Sequence, residues 1–210
     1  MKNNVAITIE RLYGSAGREI GEKVAEMLGI HSYDHELIEM AAKRSGMSTE
    51  MLYQADEKAT NSFLYSMALG AASHGSAMFG FDVPINDRLF MTQSEIINEL
   101  SQKESCVIVG RSADYVLRDY PYLLSVFVFA DEEKRMKRIS QRQGCSLGNA
   151  KILMNKTDKR RIKYYNFYTG KKWGKTDSYH LSIDSSILGV DGTARVIAEM
   201  ALNLDNKKLV

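Results

Sequence analysis

Short apolar runs separated by longer amphipathic stretches divide the chain. Val5 to Ile9 (V-A-I-T-I) is β-branched and bounded by polar residues, which predicts a buried strand. A glycine-containing stretch follows, Tyr13 to Gly17; Ile20, Val24, Met27 and Leu28 then recur at helical spacing, with Gly29 as a C-terminal stop. A second helix is expected after Asp34, with that side chain as its cap and Leu37, Ile38 and Ala41 on one face. Cys106 to Val109 and Leu123 to Phe129 are continuous apolar runs, the signature of strands covered on both faces in a parallel sheet. Asp131 is placed to cap a helix running through Arg142, Tyr179 to Ile183 reads as a last short strand, and Ile197, Met200, Ala201 and Leu204 mark a closing helix. Strands alternating with helices predict an α/β fold with a mostly parallel sheet.

Between Arg44 and Lys103 the pattern is helical or irregular. Small residues dominate Gly70 to Gly80, and Leu89, Ile96, Ile97 and Leu100 are again amphipathic. About 60 residues exceed what a simple βαβ crossover needs, so residues 45–104 are read as a helical insertion with its own task. The methionines concentrated there fit core filling or a homodimer surface.

Composition narrows the class without choosing a function. A chain of 210 residues, 44% hydrophobic and 26% charged with only 2 Pro, is sized for one domain and excludes disorder and collagen-like structure. Two cysteines, Cys106 and Cys145, are too few for a disulfide framework or a four-ligand zinc site. No segment has the pattern of a secretory signal or a membrane span, so a cytoplasmic location is expected. His31 and His35 lie near Asp34 and Glu36 but lack a third placed ligand, and no metal site is predicted from them.

Charge adds a direction. The net charge is +2, yet Lys151 to Lys175 holds nine Lys/Arg against one acid, Asp158, so a basic segment sits on an acidic body. That asymmetry calls for an anionic partner, either small-molecule phosphates or a nucleic-acid backbone. Tyr164, Tyr165, Phe167, Tyr168 and Trp173 accompany it, placed either to pack beneath a helix or to stack on bases.

The turn at Gly14 to Gly17 leaves a strand and enters a helix, where free N–H groups and the positive end of the helix dipole favour an anion. Arg18 adds a forked cation beside it. Spacing alone leaves a tight turn and a phosphate site equally open. Four blocks then become informative together: R-L-Y-G-S-A-G-R-E-I at 11–20, H-S-Y-D-H-E-L-I at 31–38, V-I-V-G-R at 107–111 and D-K-R-R-I-K-Y-Y at 158–165. In this order they resemble the cytidylate-kinase-like family of the P-loop nucleoside monophosphate kinase group, over nearly the whole chain.

The resemblance implies a three-layer fold over residues 1–210, with a five-stranded parallel sheet flanked by helices, an acceptor-binding insertion at 45–104 and a mobile basic lid at 146–176. It implies ATP as donor, with Mg²⁺, and a nucleotide acceptor. Gly14, Ser15, Ala16, Gly17, Arg18 and Glu19 would form the donor loop, Asp34 and Arg111 would hold the acceptor, and Arg18, Asp158, Arg160 and Arg161 would carry the transfer. Neither a membrane nor a nucleic acid is the expected partner.

The loop departs from G-x-x-x-x-G-K-[ST]: aligned on Gly17, it has Leu12, Arg18 and Glu19 where Gly, Lys and Ser/Thr would stand. A carboxylate ~4 Å from one phosphate charge costs about 4 kcal/mol at an effective dielectric of 20, roughly a thousandfold in affinity. Glu19 must therefore bind metal, pair with Arg18 or Arg11, or face solvent; pairing and solvent are the expected outcomes. The substitution also motivates an alternative function, a catalytically weakened nucleotide-binding sensor.

Overall fold

The structure, a computed structural model, describes residues 1–56 and 84–206. The Gly70 to Gly80 stretch lies outside them.

Three of the apolar runs form the centre of the sheet because each is buried on both faces. β1 (Ala6–Arg11) is flanked by β3 (Cys106–Val109) and β4 (Leu123–Phe129), with β2 (His31–Tyr33) and β5 (Leu181–Asp184) at the edges. All pairs are parallel, in the order β2-β3-β1-β4-β5. β1 runs two residues beyond the apolar signal because Glu10 and Arg11 continue its pairing opposite Phe127 and Val128.

Helices cover both faces. α1 (Gly17–Leu28) packs with α8 (Ser185–Asp205), placing Ile20, Val24, Ala194 and Ile197 against Ile7, Ile9 and Val126. On the other face lie α2 (Glu36–Ser45), α3 (Thr49–Ala55), α4 (Ile85–Lys103) and the single turn α5 (Ala113–Val116), with Leu37, Ile38, Leu52, Ile96 and Ile97 over Ala6 and Ile108. Within residues 45–104, α3 and α4 are the helices that the described residues form after α2.

α6 (Glu132–Gln143) begins at Asp131, whose carboxylate accepts from the amides of Glu133 and Lys134, as the pattern predicts. α7 (Leu147–Thr169) is a continuous 23-residue helix capped by Ser146. The expected lid is therefore one long helix, with Ala150 and Met154 packed on Ile139 of α6. Its far end joins Phe127, Trp173 and Tyr179 through Tyr165. Tyr164, Tyr165 and Trp173 are buried, as the packing reading requires, whereas Phe167 is exposed.

Candidate functional site

The loop between β1 and α1 lies at the carboxyl end of the central strand, where open α/β sheets bind ligands. Its conformation is set by three small residues. Gly14 has φ +85°, and a Cβ there would come 2.9 Å from the Arg135 carbonyl oxygen. Ala16 adopts the left-handed region at φ 64°, and no side chain caps α1. Gly17 lies so close to β1 that a Cβ would stand 2.4 Å from Arg11 Cβ. The first-turn amides of α1 consequently lack intrahelical acceptors. Ser15 points inward: its hydroxyl lies 2.9 Å from the Leu12 carbonyl and 3.1 Å from that of Val128.

The loop is also pinned from outside. Asp158 Oδ1 accepts from the Tyr13 amide at 2.8 Å, Arg135 Nε donates to the Tyr13 carbonyl at 2.8 Å, and Asp158 Oδ2 pairs with Arg135 Nη2. Both backbone polar groups of Tyr13, in two successive peptide units, are thereby held by α6 and α7 together. Arg161 Nη1 donates to the Arg11 carbonyl at 2.9 Å, and the guanidinium groups of Arg142 and Arg161 flank the Tyr13 ring at 5.4 and 5.8 Å.

Before this loop opens a cavity of about 540 Å³. Among the described residues, its cationic lining is entirely arginine: Arg11, Arg18 and Arg111 from the sheet side, Arg138 and Arg142 from α6, Arg160 and Arg161 from α7. Glu19, Asp34 and Asp56 are its acids. Seven guanidinium groups and no ammonium make a site for an oxyanion that accepts paired, planar hydrogen bonds. The lining also joins Gly14, Ala16, Gly17, Arg18 and Glu19 with Asp34, Arg111, Arg160 and Arg161, bringing most residues singled out in the sequence to one place.

Arg111 follows β3 in a left-handed run: Gly110, Arg111 and Ser112 have φ 77°, 58° and 52°. For the two non-glycine residues this costs about 1–3 kcal/mol each. The strained turn aims a buried guanidinium along the strand ends, where Nη1 meets Asp34 Oδ1 and Nη2 meets Asp56 Oδ2, both at 2.9 Å. Arg18 Nε adds a contact of 3.5 Å to Asp34 and one of 2.9 Å to Glu22.

One expectation changes here, and one open alternative is decided. Asp34 is not the cap of α2: the cap position is His35, without a side-chain bond, because the Asp34 carboxylate is drawn to two arginines instead. Glu19 faces solvent on the first turn of α1 rather than a cation. His31 Nε2 contacts Glu36 at 2.8 Å and His35 Nε2 lies 3.7 Å from Asp34. Among the described residues, no group of three or more His, Cys, Asp or Glu could hold a metal ion.

The sequence reading missed Asp56, Arg138 and Arg142. Arg135, Arg138 and Arg142 are spaced three and four apart, which puts them on one face of the helix that Asp131 opens. That spacing was the available signal.

Solved structures share the architecture. An uncharacterized protein from Eubacterium ventriosum ATCC 27560 is 26% identical, with TM-score 0.69 over 97% of this chain and 99% of that one. A shikimate kinase from Acinetobacter baumannii in complex with shikimate is 13% identical, with TM-score 0.52 over 98% and 97%. A gluconokinase from Sinorhizobium meliloti 1021 is 16% identical, with TM-score 0.50 over 97% of each. The latter two share the kinase fold. No curated protein sequence matches the chain. Among the described residues, no helix is long and apolar enough to cross a membrane. The model of the cytidylate kinase-like family matches residues 6–187, and the chain belongs to that family.

Proposed function

We propose that the protein is an ATP-dependent phosphotransferase acting on a nucleoside monophosphate or a related small phosphate acceptor. The observation that carries this reading is the arginine-rich cavity placed against the uncapped amino end of α1 at the end of the central strand. Two anions must meet in such a transfer, and the cations fall into two sets suited to them. The first-turn amides of α1 with Arg18 and the arginines of α6 and α7 would take the donor triphosphate, while Arg111 would take the acceptor.

In the transfer an acceptor oxygen attacks the γ-phosphorus, the bond to the β-phosphate oxygen breaks, and ADP leaves. Arg160 and Arg161 would offset charge on the equatorial oxygens. Asp158 positions the loop through Tyr13 and Arg135.

Glu19 borders the cavity where a P-loop hydroxyl would stand, and on turning in from solvent it would offer Mg²⁺ a hard oxygen ligand. When bound, the ion would neutralise charge between the β- and γ-phosphates. The same substitution favours the second reading, a nucleotide-binding sensor without turnover.

A panel of nucleoside monophosphates and other phosphate acceptors, incubated with ATP and Mg²⁺ and scored for ADP release, tests the proposal. Arg18→Ala is expected to weaken ATP binding about ten- to a hundredfold, the worth of one charged hydrogen bond. Unchanged affinity in that variant rejects the donor assignment. Tight ATP binding with no phosphate transfer in a single turnover decides for the sensor.

A further inference from the structure

Two carboxylates outside the arginine cavity share a buried site beneath the far end of α7. Glu10, at 5% exposure on β1, accepts from the Trp173 indole N–H at 2.9 Å. Asp114, at 6% exposure on α5, accepts from the Tyr165 hydroxyl at 2.7 Å. Both donors come from one piece of chain, Tyr165 from α7 and Trp173 from the segment just after it. The acids belong to the sheet and to the turn after β3, so these bonds fasten the helix to the strand ends.

The grouping is electrostatically uneven. Besides Glu10, the groups around Asp114 are the Tyr165 and Tyr179 hydroxyls and Lys171, whose ammonium also lies 5.7 Å from the Tyr115 ring. Arg11 Nη1 is 4.0 Å from Glu10, and Asp87 on α4 is taken by the Tyr168 hydroxyl. The Glu10 carboxylate lies near enough to Asp114 to raise its carboxyl, and two such buried acids resist being charged together. Their tie extends to the cavity: Glu10 adjoins Arg11, whose carbonyl accepts from Arg161.

We infer that Glu10 and Asp114 form a proton-linked clamp that seats α7, and so positions Arg160 and Arg161 over the cavity. They act through the helix and are positioning residues, not catalytic ones; the role of the two arginines rests on the function proposed above. Burial raises the Asp114 carboxyl from its ordinary 3.8 to about 7, helped by the charge of Glu10, while Tyr165, the Tyr115 amide and Lys171 pull the other way. The folded-state value lies above the unfolded one, so the protonated acid favours the seated helix. That contribution is complete only below the ordinary 3.8, is lost progressively as pH rises from there through about 7, and changes no further above it.

Trp173 is the chain's only tryptophan, and it makes the test independent of any substrate. Its fluorescence is followed in the full-length protein from pH 5.5 to 8.5, alongside hydrogen exchange of the amides in α7. Wild-type emission is expected to titrate with a midpoint near 7, and Asp114→Asn, which mimics the protonated acid, to hold the low-pH signal throughout. Relative to Asp114→Asn, exchange of the α7 amides around Arg160 in wild type should quicken about tenfold between pH 5.5 and 6.5 and level off above about 7. Glu10→Gln removes the neighbouring charge and should shift the wild-type midpoint downward. A flat wild-type emission with unchanged circular dichroism, or an Asp114→Asn protein that titrates like wild type, overturns the clamp. Because no nucleotide enters either measurement, a failed kinase assay leaves the result intact, and a failed clamp leaves the kinase reading intact.

Discussion

Removing Arg111 tests the centre of the site. Its guanidinium is 1% exposed and bridges Asp34 and Asp56, whose side chains are 12% and 13% exposed. Deleting one partner of a buried pair costs about 3–5 kcal/mol, mostly because the remaining charge stays buried without compensation. Arg111→Ala strands two carboxylates, but both retain some solvent and Asp34 keeps Arg18 at 3.5 Å. The lower end, about 3 kcal/mol, is therefore expected, equivalent to about 6–12 °C in Tm at this chain length. Urea melts of wild type, Arg111→Ala, Asp34→Asn and the double variant give the coupling between the two residues. It should exceed 1 kcal/mol, well above the about 0.5 kcal/mol within which independent sites add. A coupling within about 0.5 kcal/mol of zero would refute the reasoning, since the bridge would then contribute no more than two distant residues do.

Two further substitutions probe the loop. Gly17→Ala pushes a methyl to 2.4 Å from Arg11 Cβ, a backbone-bound atom that cannot swing aside; about 1–3 kcal/mol of stability should be lost, with ATP affinity falling as the helix start shifts, read by thermal melts with and without nucleotide. Asp158→Ala frees the Tyr13 amide and leaves Arg135 without its carboxylate, so about 3 kcal/mol should be lost in urea melts; a loss below about 1 kcal/mol would mean the loop is held elsewhere.

The sheet was largely legible because β1, β3 and β4 are buried on both faces and so carry unbroken apolar runs. β2 was not, since His31, Ser32 and Tyr33 form an edge strand of three residues with no alternation long enough to read. The loop between β1 and α1 was legible as a strand-turn-helix junction, whereas its pinning depended on residues 122 and 145 positions away from Tyr13. Asp34 shows the same limit. As a local signal it reads equally well as a cap, and only the arrival of Arg111 from another strand decides its partner. Arg138 and Arg142 had the right spacing, but nothing local says which face of a very polar helix turns toward the cavity.

The basic asymmetry of the sequence resolves into two populations once the fold is known. Within α7, Lys151, Lys156, Lys159 and Lys163 are exposed, and none of them borders the cavity, whereas Arg160 and Arg161 do. An ammonium is a strongly hydrated point charge and suits solvent; a guanidinium is planar, weakly hydrated and always charged, and suits a partly enclosed oxyanion. Long-range attraction of an anion would draw on both populations and weaken with salt, because exposed charges are screened within about 10 Å at 0.1 M. Gripping it would draw on the arginines alone, where the cavity walls limit screening. Lysine substitution of Arg160 or Arg161 therefore preserves the field that gathers the ligand while removing the paired donors that orient it, which separates encounter from positioning at a single residue.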